Sequence, residues 1–474
     1  IEIVRGNRTA QYGSDAISGV IQIFTRRARA VSGSLTGGSY GYRAFSVAAG
    51  GSQGGYDYSV SAGHEANDGF SATNKKIGSS YDPDKDPYSN NNVNLHVSTE
   101  LETINQSIDF SFLRTEADTD FDQGHLDSVN QSANMTLQGD INESWFQKLI
   151  IGWANDDLKT KSDYPSDVET KRFMLDWQND FFITEDSILT FGLNHVQDDG
   201  SSIDRLSNTT VYDDRVTTDS AYLQLQSEFD RLDTLLAFRY DDHENFGEET
   251  TGQVAIGYQV SDTLRLVASY GTAFKAPDLN ELFHPGFGGW FAGNPALQPE
   301  ESETVELSLR YRLSASQSVS LSFYRTNVDD LIAYQGDANQ AININEAEMQ
   351  GVEMLYDGGL GPWRWSMNAT YQETEDKATG LDLLRRPEKK LAFDLGYQFP
   401  LNHYLGVELF TSSESRDVGG DNASYTLVNV FGRYQFNKHY ALSARIENLF
   451  DEQYEVARGY NTADLSGFLT LTYQ

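Results

Sequence analysis

Residues 390–399, KLAFDLGYQF, decide the fold. Leu391, Phe393, Leu395, Tyr397 and Phe399 alternate with Ala392, Asp394, Gly396 and Gln398. Successive side chains of an extended chain point to opposite faces, so this is a strand with one apolar and one polar side. The same period runs outward in both directions. Val319, Leu321 and Phe323 alternate with Ser318, Ser320 and Ser322, and Leu469, Leu471 and Tyr473 alternate with Thr470 and Thr472. Soluble sheets alternate too. What differs here is how small and polar the second face is: Ser, Thr, Asn, Gln and Gly.

Composition narrows the setting. The chain has 474 residues, no cysteine, and 70 acidic against 35 basic side chains, a net charge of −35. That charge argues against nucleic acid, because phosphate binding needs Lys and Arg patches. Mean hydropathy is −0.51, and no run of apolar residues is long enough for a transmembrane helix. A membrane barrel is not excluded, since alternating strands keep mean hydropathy low. The absence of cysteine suits a compartment where thiols are oxidised. The 26 Tyr and 26 Phe suit aromatic girdles at two membrane interfaces.

The connections between strands are of two kinds. Short turns such as Ser52–Gly55, Asn142–Ser144, Ser314–Ser316 and Gly358–Gly361 alternate with long, acidic loops. The loops are Gly69–Asn91, Ala117–Val129, Lys159–Asp167, Asp198–Val216, Ala276–Glu301, Thr374–Arg385, Ser415–Ala423 and Asp451–Asp464. Strict alternation of this kind belongs to an outer-membrane barrel, with short turns on one side and long loops on the other. The count is about 22 antiparallel strands, the size of a plugged transporter rather than an open porin. An all-β fold, a 22-stranded antiparallel transmembrane β-barrel, is expected.

The N-terminal stretch, IEIVRGNRTAQYGSDAISGVIQIFTRR (Ile1–Arg27), reads as strand, Gly-rich turn, strand. It resembles the end of the plug domain of TonB-dependent outer-membrane receptors. More segments resemble that family, in the family's order. They are SYGTAFKAPDLNELF (269–283), GNPALQPEESETVELSLRY (293–311), YRTNVDDLI (324–332), GVEM (351–354) and ENLFDEQYE (447–455). The resemblance covers nearly the whole chain. It implies that residues 1–30 are the C-terminal remnant of a plug and 31–474 the barrel. It also implies a Gram-negative outer-membrane location among lipid and lipopolysaccharide, a monomeric barrel, and a TonB–ExbB–ExbD complex as energising partner. An outer-membrane protein needs a signal peptide, and this chain starts at Ile1, so a fragment or processed form is expected. Barrels of this family usually end on an aromatic residue, so one more residue is expected after Gln474.

Within the family the likeness is greatest to cobalamin (vitamin B12) transporters. It rests on NDGFSATN…YDPDKDPYSNN (67–91) and on GYNTADLSG (459–467). The second departs from the family at Asp464-Leu465, where Gly-Arg is usual.

Three groups of candidate site residues follow. Asp82, Asp84 and Asp86 stand at alternate positions of DPDKD, and carboxylates so close repel unless a cation lies between them. Calcium, which takes about six to eight oxygens in flexible geometry, suits such a set. Asp68 on the same loop, with Asp163 and Asp167, could complete the shell. A solvated acidic loop is the bland alternative. The resemblance implies that calcium orders these loops before substrate binds. Phe287, Trp290 and Phe291, between glycines of FHPGFGGWFAGN (283–294), could stack on a planar ligand or simply pack the loop. Arg5, in an apolar strand, needs a partner if buried. The resemblance implies Glu306 and Glu353 on the inner wall.

No enzyme motif is present: there is no GxSxG and no HExxH, and the 8 His lack metal spacing. The functional expectation is active, TonB-coupled uptake of cobalamin. The rivals are a ferric-siderophore receptor of the same fold and, in a different class, a passive channel or surface adhesin. Plug sequence argues against a porin.

Overall fold

A computed structural model describes residues 1–474 except 8, 9, 11, 12, 15, 18, 26, 123, 285, 287–289 and 336–338, and without the side chains of 5, 79, 80, 335 and 345. Twenty-two strands form one closed antiparallel ring. The first barrel strand, Ser32–Gly38, pairs with the last, Ser466–Tyr473, in the register Leu35↔Leu471 and Thr36↔Thr470. Closure leaves no strand edge, which a lipid core cannot tolerate because nothing there satisfies an open N–H or C=O.

The two faces match the alternation. Leu223, Phe238, Val305, Leu307, Phe323, Leu405 and Leu469 are exposed on the outside, where lipid would cover them. The inner face is a ladder of hydroxyls. Ser34 meets Ser46 at 2.8 Å, Thr36 meets Thr470 at 2.9 Å, and Ser308 meets Ser322 at 2.7 Å. Small polar groups keep the lumen wide and still satisfy one another.

Connections alternate strictly between the two ends. At one end are tight turns, several of two residues, such as 54–55, 143–144, 230–231 and 361–362. Gly54 and Gly55 both have positive φ, as the primed hairpin turns require. At the other end lie the loops 68–87, 276–299, 377–388, 413–424 and 448–465.

Three expected loops are corrected. Ala117–Val129, Lys159–Asp167 and Asp198–Val216 are mostly strand. The ladders run Gln106–Phe121 to Gly124–Asn142, Trp145–Ser162 to Ser166–Thr184, and Ser187–Asp204 to Thr209–Phe229. A crossing needs only about 9–11 residues, so the 21-residue strand Thr209–Phe229 projects far beyond it. Apolar alternation ends where lipid ends, but backbone pairing continues.

The described part of residues 1–30 stands apart from the barrel sheet. Glu2–Arg5 pairs with Gly19–Gln22 in a two-stranded sheet of its own. It is fastened to the inner wall by Asn7, which is buried and donates to the Gly271 carbonyl at 2.9 Å and the Ser302 carbonyl at 3.2 Å. Asn7 Oδ1 accepts from Thr304 Oγ1 at 3.1 Å.

The closing seam supplies a test. A Cβ on Gly38 would overlap the Phe468 ring and the Gly467 carbonyl. Gly38→Val is expected to destabilise the barrel by about 1–3 kcal/mol, the usual cost of overpacking. The readout is a lower temperature for conversion of the compact to the unfolded band on detergent gels.

Candidate functional site

Loop 68–87 is shaped by its own backbone before any side chain acts. Asp68 N–H bonds to the Tyr40 carbonyl at 2.7 Å, and Asp86 N–H to the Phe70 carbonyl at 3.2 Å. The two ends of the loop are therefore drawn together. Gly69 makes this possible, with φ +65 and with a Cβ that would overlap the Asp86 carbonyl.

This crossing gathers three carboxylates. Oxygens of Asp84, Asp86 and Asp122 all lie within 4.8 Å of one another. Asp86 Oδ2 accepts from Ala72 N–H at 2.6 Å. Thr73 Oγ1 donates to Asp122 Oδ2, while Asp122 Oδ1 is buried with no hydrogen-bond partner. Burial pushes the Asp86 carboxyl up from its ordinary value. The Ala72 N–H pulls it back, and Asp122, Asp84 and Asp120 push it further up. The cluster holds more negative charge than its surroundings neutralise.

The other acidic candidates go elsewhere. Asp82 contributes its backbone carbonyl, which accepts from Ser71 Oγ at 2.8 Å, and its carboxylate is outside the cluster. Asp68 faces Arg43 at 3.4 Å. Asp167 accepts from Arg205 Nε at 2.7 Å. Asp163 sits in the turn after Trp145–Ser162 and joins no acidic group among the described residues. Asp122 was not singled out from the sequence. It lies on the next hairpin, and nothing in DPDKD points to it.

A second group, Asp118, His125 and Asp127, lies near that hairpin's tip. His125 Nε2 is 2.8 Å from Asp127, and Nδ1 contacts Asp120. The Asp120 bond raises the His125 pKa against the opposing effect of burial, and Asp127 raises it further. Lys161 Nζ lies 2.5 Å from Asp127. With both ring nitrogens held by carboxylates and Lys161 on Asp127, this group is closed on itself.

The two segments that carried the finer resemblance, 67–91 and 459–467, meet in space. Asn74 N–H bonds to the Gly459 carbonyl at 2.9 Å and Asn461 N–H to the Ala72 carbonyl at 2.8 Å. Asn461 Nδ2 donates to the Ser71 and Thr73 carbonyls at 2.9 and 2.7 Å. Glu455 receives Asn74 Nδ2 at 2.7 Å and Lys76 Nζ at 3.0 Å. Loop 413–424 joins through Asp417. Its carboxylate accepts from Arg458 N–H at 2.7 Å and Arg385 Nε at 2.9 Å. Burial pushes this carboxyl up, but four donors hold it below its ordinary value.

The aromatic candidates divide. Phe287 lies outside the described residues. Trp290 and Phe291 are about half exposed at the loop end, with Phe291 6.3 Å from the Tyr334 ring. Their loop is anchored by the short helix α1 (Leu279–Phe283), capped by Asp278, and by Leu282 and Leu297 packed with Ala341. The Arg5 side chain also lies outside the described residues. Its neighbour Gly6 comes close to Glu306, whose Oε2 is 3.5 Å from where a Gly6 Cβ would sit. Glu306 Oε1 accepts from Ser308 Oγ at 2.6 Å. Glu353 lies on the neighbouring ladder, opposite Ser322.

Comparison with known proteins places this geometry. The family described as "TonB dependent receptor-like, beta-barrel" matches residues 24–449. The vitamin B12 transporter BtuB of Photobacterium profundum is 29% identical over 100% of this chain and 79% of its own length. The vitamin B12 transporter BtuB of Vibrio cholerae is 27% identical over the same shares. Among solved structures, the ferric enterobactin receptor PfeA of Pseudomonas aeruginosa superposes with TM-score 0.83 at 16% identity. The siderophore receptor PirA of Acinetobacter baumannii gives 0.82 at 19%. Each superposition covers 99% of this chain and 84% of the other. At such identities the structural likeness speaks for the fold alone.

Asp86 supplies the prediction. A carboxyl with a raised value in the fold adds stability below the ordinary Asp value and loses that contribution as pH rises through the raised one. At pH 7 without metal, Asp86→Asn removes the like-charge repulsion and keeps an oxygen for Ala72. Loop 68–87 in this variant is expected to resist limited proteolysis better than in the wild type. Faster nicking would show that charge does not strain the loop.

Proposed function

The chain belongs to the TonB-dependent receptor β-barrel family, a family of outer-membrane receptors and transporters, and from this premise we propose that it takes up cobalamin at the expense of TonB-transmitted work. The observation that carries the substrate is similarity over the full chain to two vitamin B12 transporters.

In this reading residues 1–30 are the end of a plug whose remainder fills the lumen. Cobalamin is captured at the loop end. The exposed rings of Trp290 and Phe291 offer faces for a large planar ligand. Pulling by the TonB complex remodels the plug, and the Asn7 bonds to Gly271, Ser302 and Thr304 are among those that hold the segment to the wall. The Arg5, Glu306 and Glu353 set would complete that attachment.

Calcium fits the acidic cluster by the chemistry of its donors. Asp84, Asp86 and Asp122 offer hard carboxylate oxygens, and the unpartnered Asp122 oxygen is a lone pair in want of a cation. These three would hold the ion, and its charge would offset their repulsion. The chain's own contribution is the clamp of loop 68–87 onto 448–465, which spreads that order across the mouth. Asp82, Asp68, Asp163 and Asp167 would act outside this shell.

The test is a titration of labelled cyanocobalamin on the natural protein in outer membranes, with millimolar calcium and then with a chelator. Asp84→Ala and Asp122→Ala are compared with the wild type. If the ordered mouth falls to about a tenth of the population, apparent affinity falls about tenfold, and that loss is expected on chelation and in both variants. Tight binding indifferent to both would discard the metal and keep the substrate. No binding in any condition would discard cobalamin, and ferric siderophores would be screened on the same barrel.

A further inference from the structure

The inner wall carries an ion pair that the transport reading does not use. Arg239 and Asp241 stand two positions apart on the strand Leu232–His243. Phe238 beside them is exposed on the outward face, so both point inward. Arg239 Nε donates to Asp241 Oδ1 at 2.8 Å and to Oδ2 at 3.0 Å. Ser220 closes the group, accepting from Arg239 Nη2 at 2.8 Å and donating to Asp241 Oδ1 at 2.6 Å. The Arg239 and Asp241 side chains are 5% and 0% exposed. Asp233 lies on the same face of the same strand, yet its pair with Arg265 is 33% and 39% exposed. The inward pair of Arg445 with Glu408 is 37% and 27% exposed. Burial of Arg239 and Asp241 is therefore local and not a property of the wall.

What covers them is the N-terminal segment. In the turn at Gly13, Ala16 N–H bonds to the Gly13 carbonyl at 3.1 Å. This turn lies on the guanidinium: a Cβ on Gly13 would be 3.6 Å from Arg239 Nη2. Ala10 and Ala16, on either side of the turn, are buried too. On the neighbouring strand, Gly247–Ser261, Thr251 stands opposite Arg239 in register. Thr251 and Gln253 are buried, and Thr251 Oγ1 and Gln253 Oε1 have no hydrogen-bond partner among the described residues. The seat of the segment thus has two parts of opposite sign. Asn7 fastens it through its bonds to Gly271, Ser302 and Thr304. The strip beside Asn7, an ion pair and two lone polar oxygens, is kept from water by the segment. Taking an ion pair out of water commonly costs more than its mutual attraction returns, and an unpaired buried polar atom adds to that cost.

We propose that Arg239, Asp241 and Ser220 form a release element for the transport step. While the segment lies on them, they are dry. When it is lifted, water reaches both charges and the oxygens of Thr251 and Gln253, and that rehydration offsets part of the work of breaking the Asn7 bonds. The pair opposes the closed arrangement by an amount set by its own desolvation, and the Asn7 bonds outweigh it. An apolar strip of the same shape would hold the segment more tightly. The proposal rests on the TonB-driven lifting in the reading above and not on the choice of substrate.

The test reads how readily the segment lifts, from maleimide labelling of Ala16→Cys in the natural protein; residues 1–474 hold no cysteine of their own. Labelling is timed in purified protein in detergent, where no TonB acts, and in cells with and without TonB. The first arm tests the pair, and acceleration by TonB tests the reading on which it rests. Replacing the whole group by apolar residues (Ser220→Ala, Arg239→Met and Asp241→Leu) is expected to slow labelling of the purified protein by about tenfold, since such replacement of a buried pair is commonly stabilising. Asp241→Leu alone strands the Arg239 charge and is expected to speed labelling by about tenfold or more. Opposite signs set a release element apart from a plain structural contact, whose loss speeds labelling in both variants. If the triple variant gives no compact band on detergent gels, Arg239→Gln with Asp241→Asn keeps the shape without the charges and is expected to slow labelling by a smaller factor. Labelling of a folded triple or double variant as fast as the wild type, or faster, overturns the proposal.

Discussion

Everything in this molecule depends on backbone hydrogen bonds having nowhere else to go. In lipid an unpaired N–H or C=O costs several kcal/mol, so the sheet must close on itself. Closure fixes an even ring of 22 strands and puts alternate residues outside and inside. It also sorts the connections onto two ends. The small polar residues of the inner face follow, because they satisfy one another without filling the lumen. The long ladders beyond the lipid follow as well, since pairing once begun continues while neither strand meets a breaker.

At the loop end the constraint changes from pairing to charge. Backbone contacts at Tyr40, Phe70 and Ala72 set the loop's path. The carboxylates of Asp84, Asp86 and Asp122 are carried along into a place that charge alone would not choose. Loops 413–424 and 448–465 answer their own acids with Arg385, Lys76 and backbone N–H groups. The cluster at Asp122 receives Ala72 N–H and Thr73 Oγ1 but, among the described residues, no cationic side chain. That contrast between adjacent loops, rather than acidity as such, is what gives the calcium proposal its footing.

The barrel was legible in the sequence because period two and alternating connection lengths are local signals. KLAFDLGYQF needs no distant residue to be read as a two-faced strand. The hairpins at 106–142, 145–184 and 187–229 were misjudged at their tips for the same reason. Past the lipid boundary the residues are polar on both faces, so hydropathy falls silent while pairing persists. The site was half legible. Asp84 and Asp86 stand two positions apart in a visible motif, but their partner Asp122 arrives through a crossing set by Gly69, and no spacing rule reports that. Asp167, read as a ligand, is held by Arg205, a pairing that becomes visible only when the two strands are in register. Of the contacts between the N-terminal segment and the wall, Glu306 near Gly6 was reached through the resemblance, whereas Asn7 gave no signal, being one more Asn in a polar stretch.

The clamp between loop 68–87 and loop 448–465 joins parts of the chain separated by 379 to 390 positions. Those loops flank the seam between the first barrel strand and the last. Asn461 cannot reach Ser71 until both ends of the polypeptide have been synthesised, delivered and zipped together. Contacts so remote in sequence carry a large loop-closure entropy and form late. The mouth of the receptor therefore takes its final shape after the wall is complete. A barrel that has stalled with its seam open would present an unformed mouth, so competence to bind becomes a readout of finished assembly.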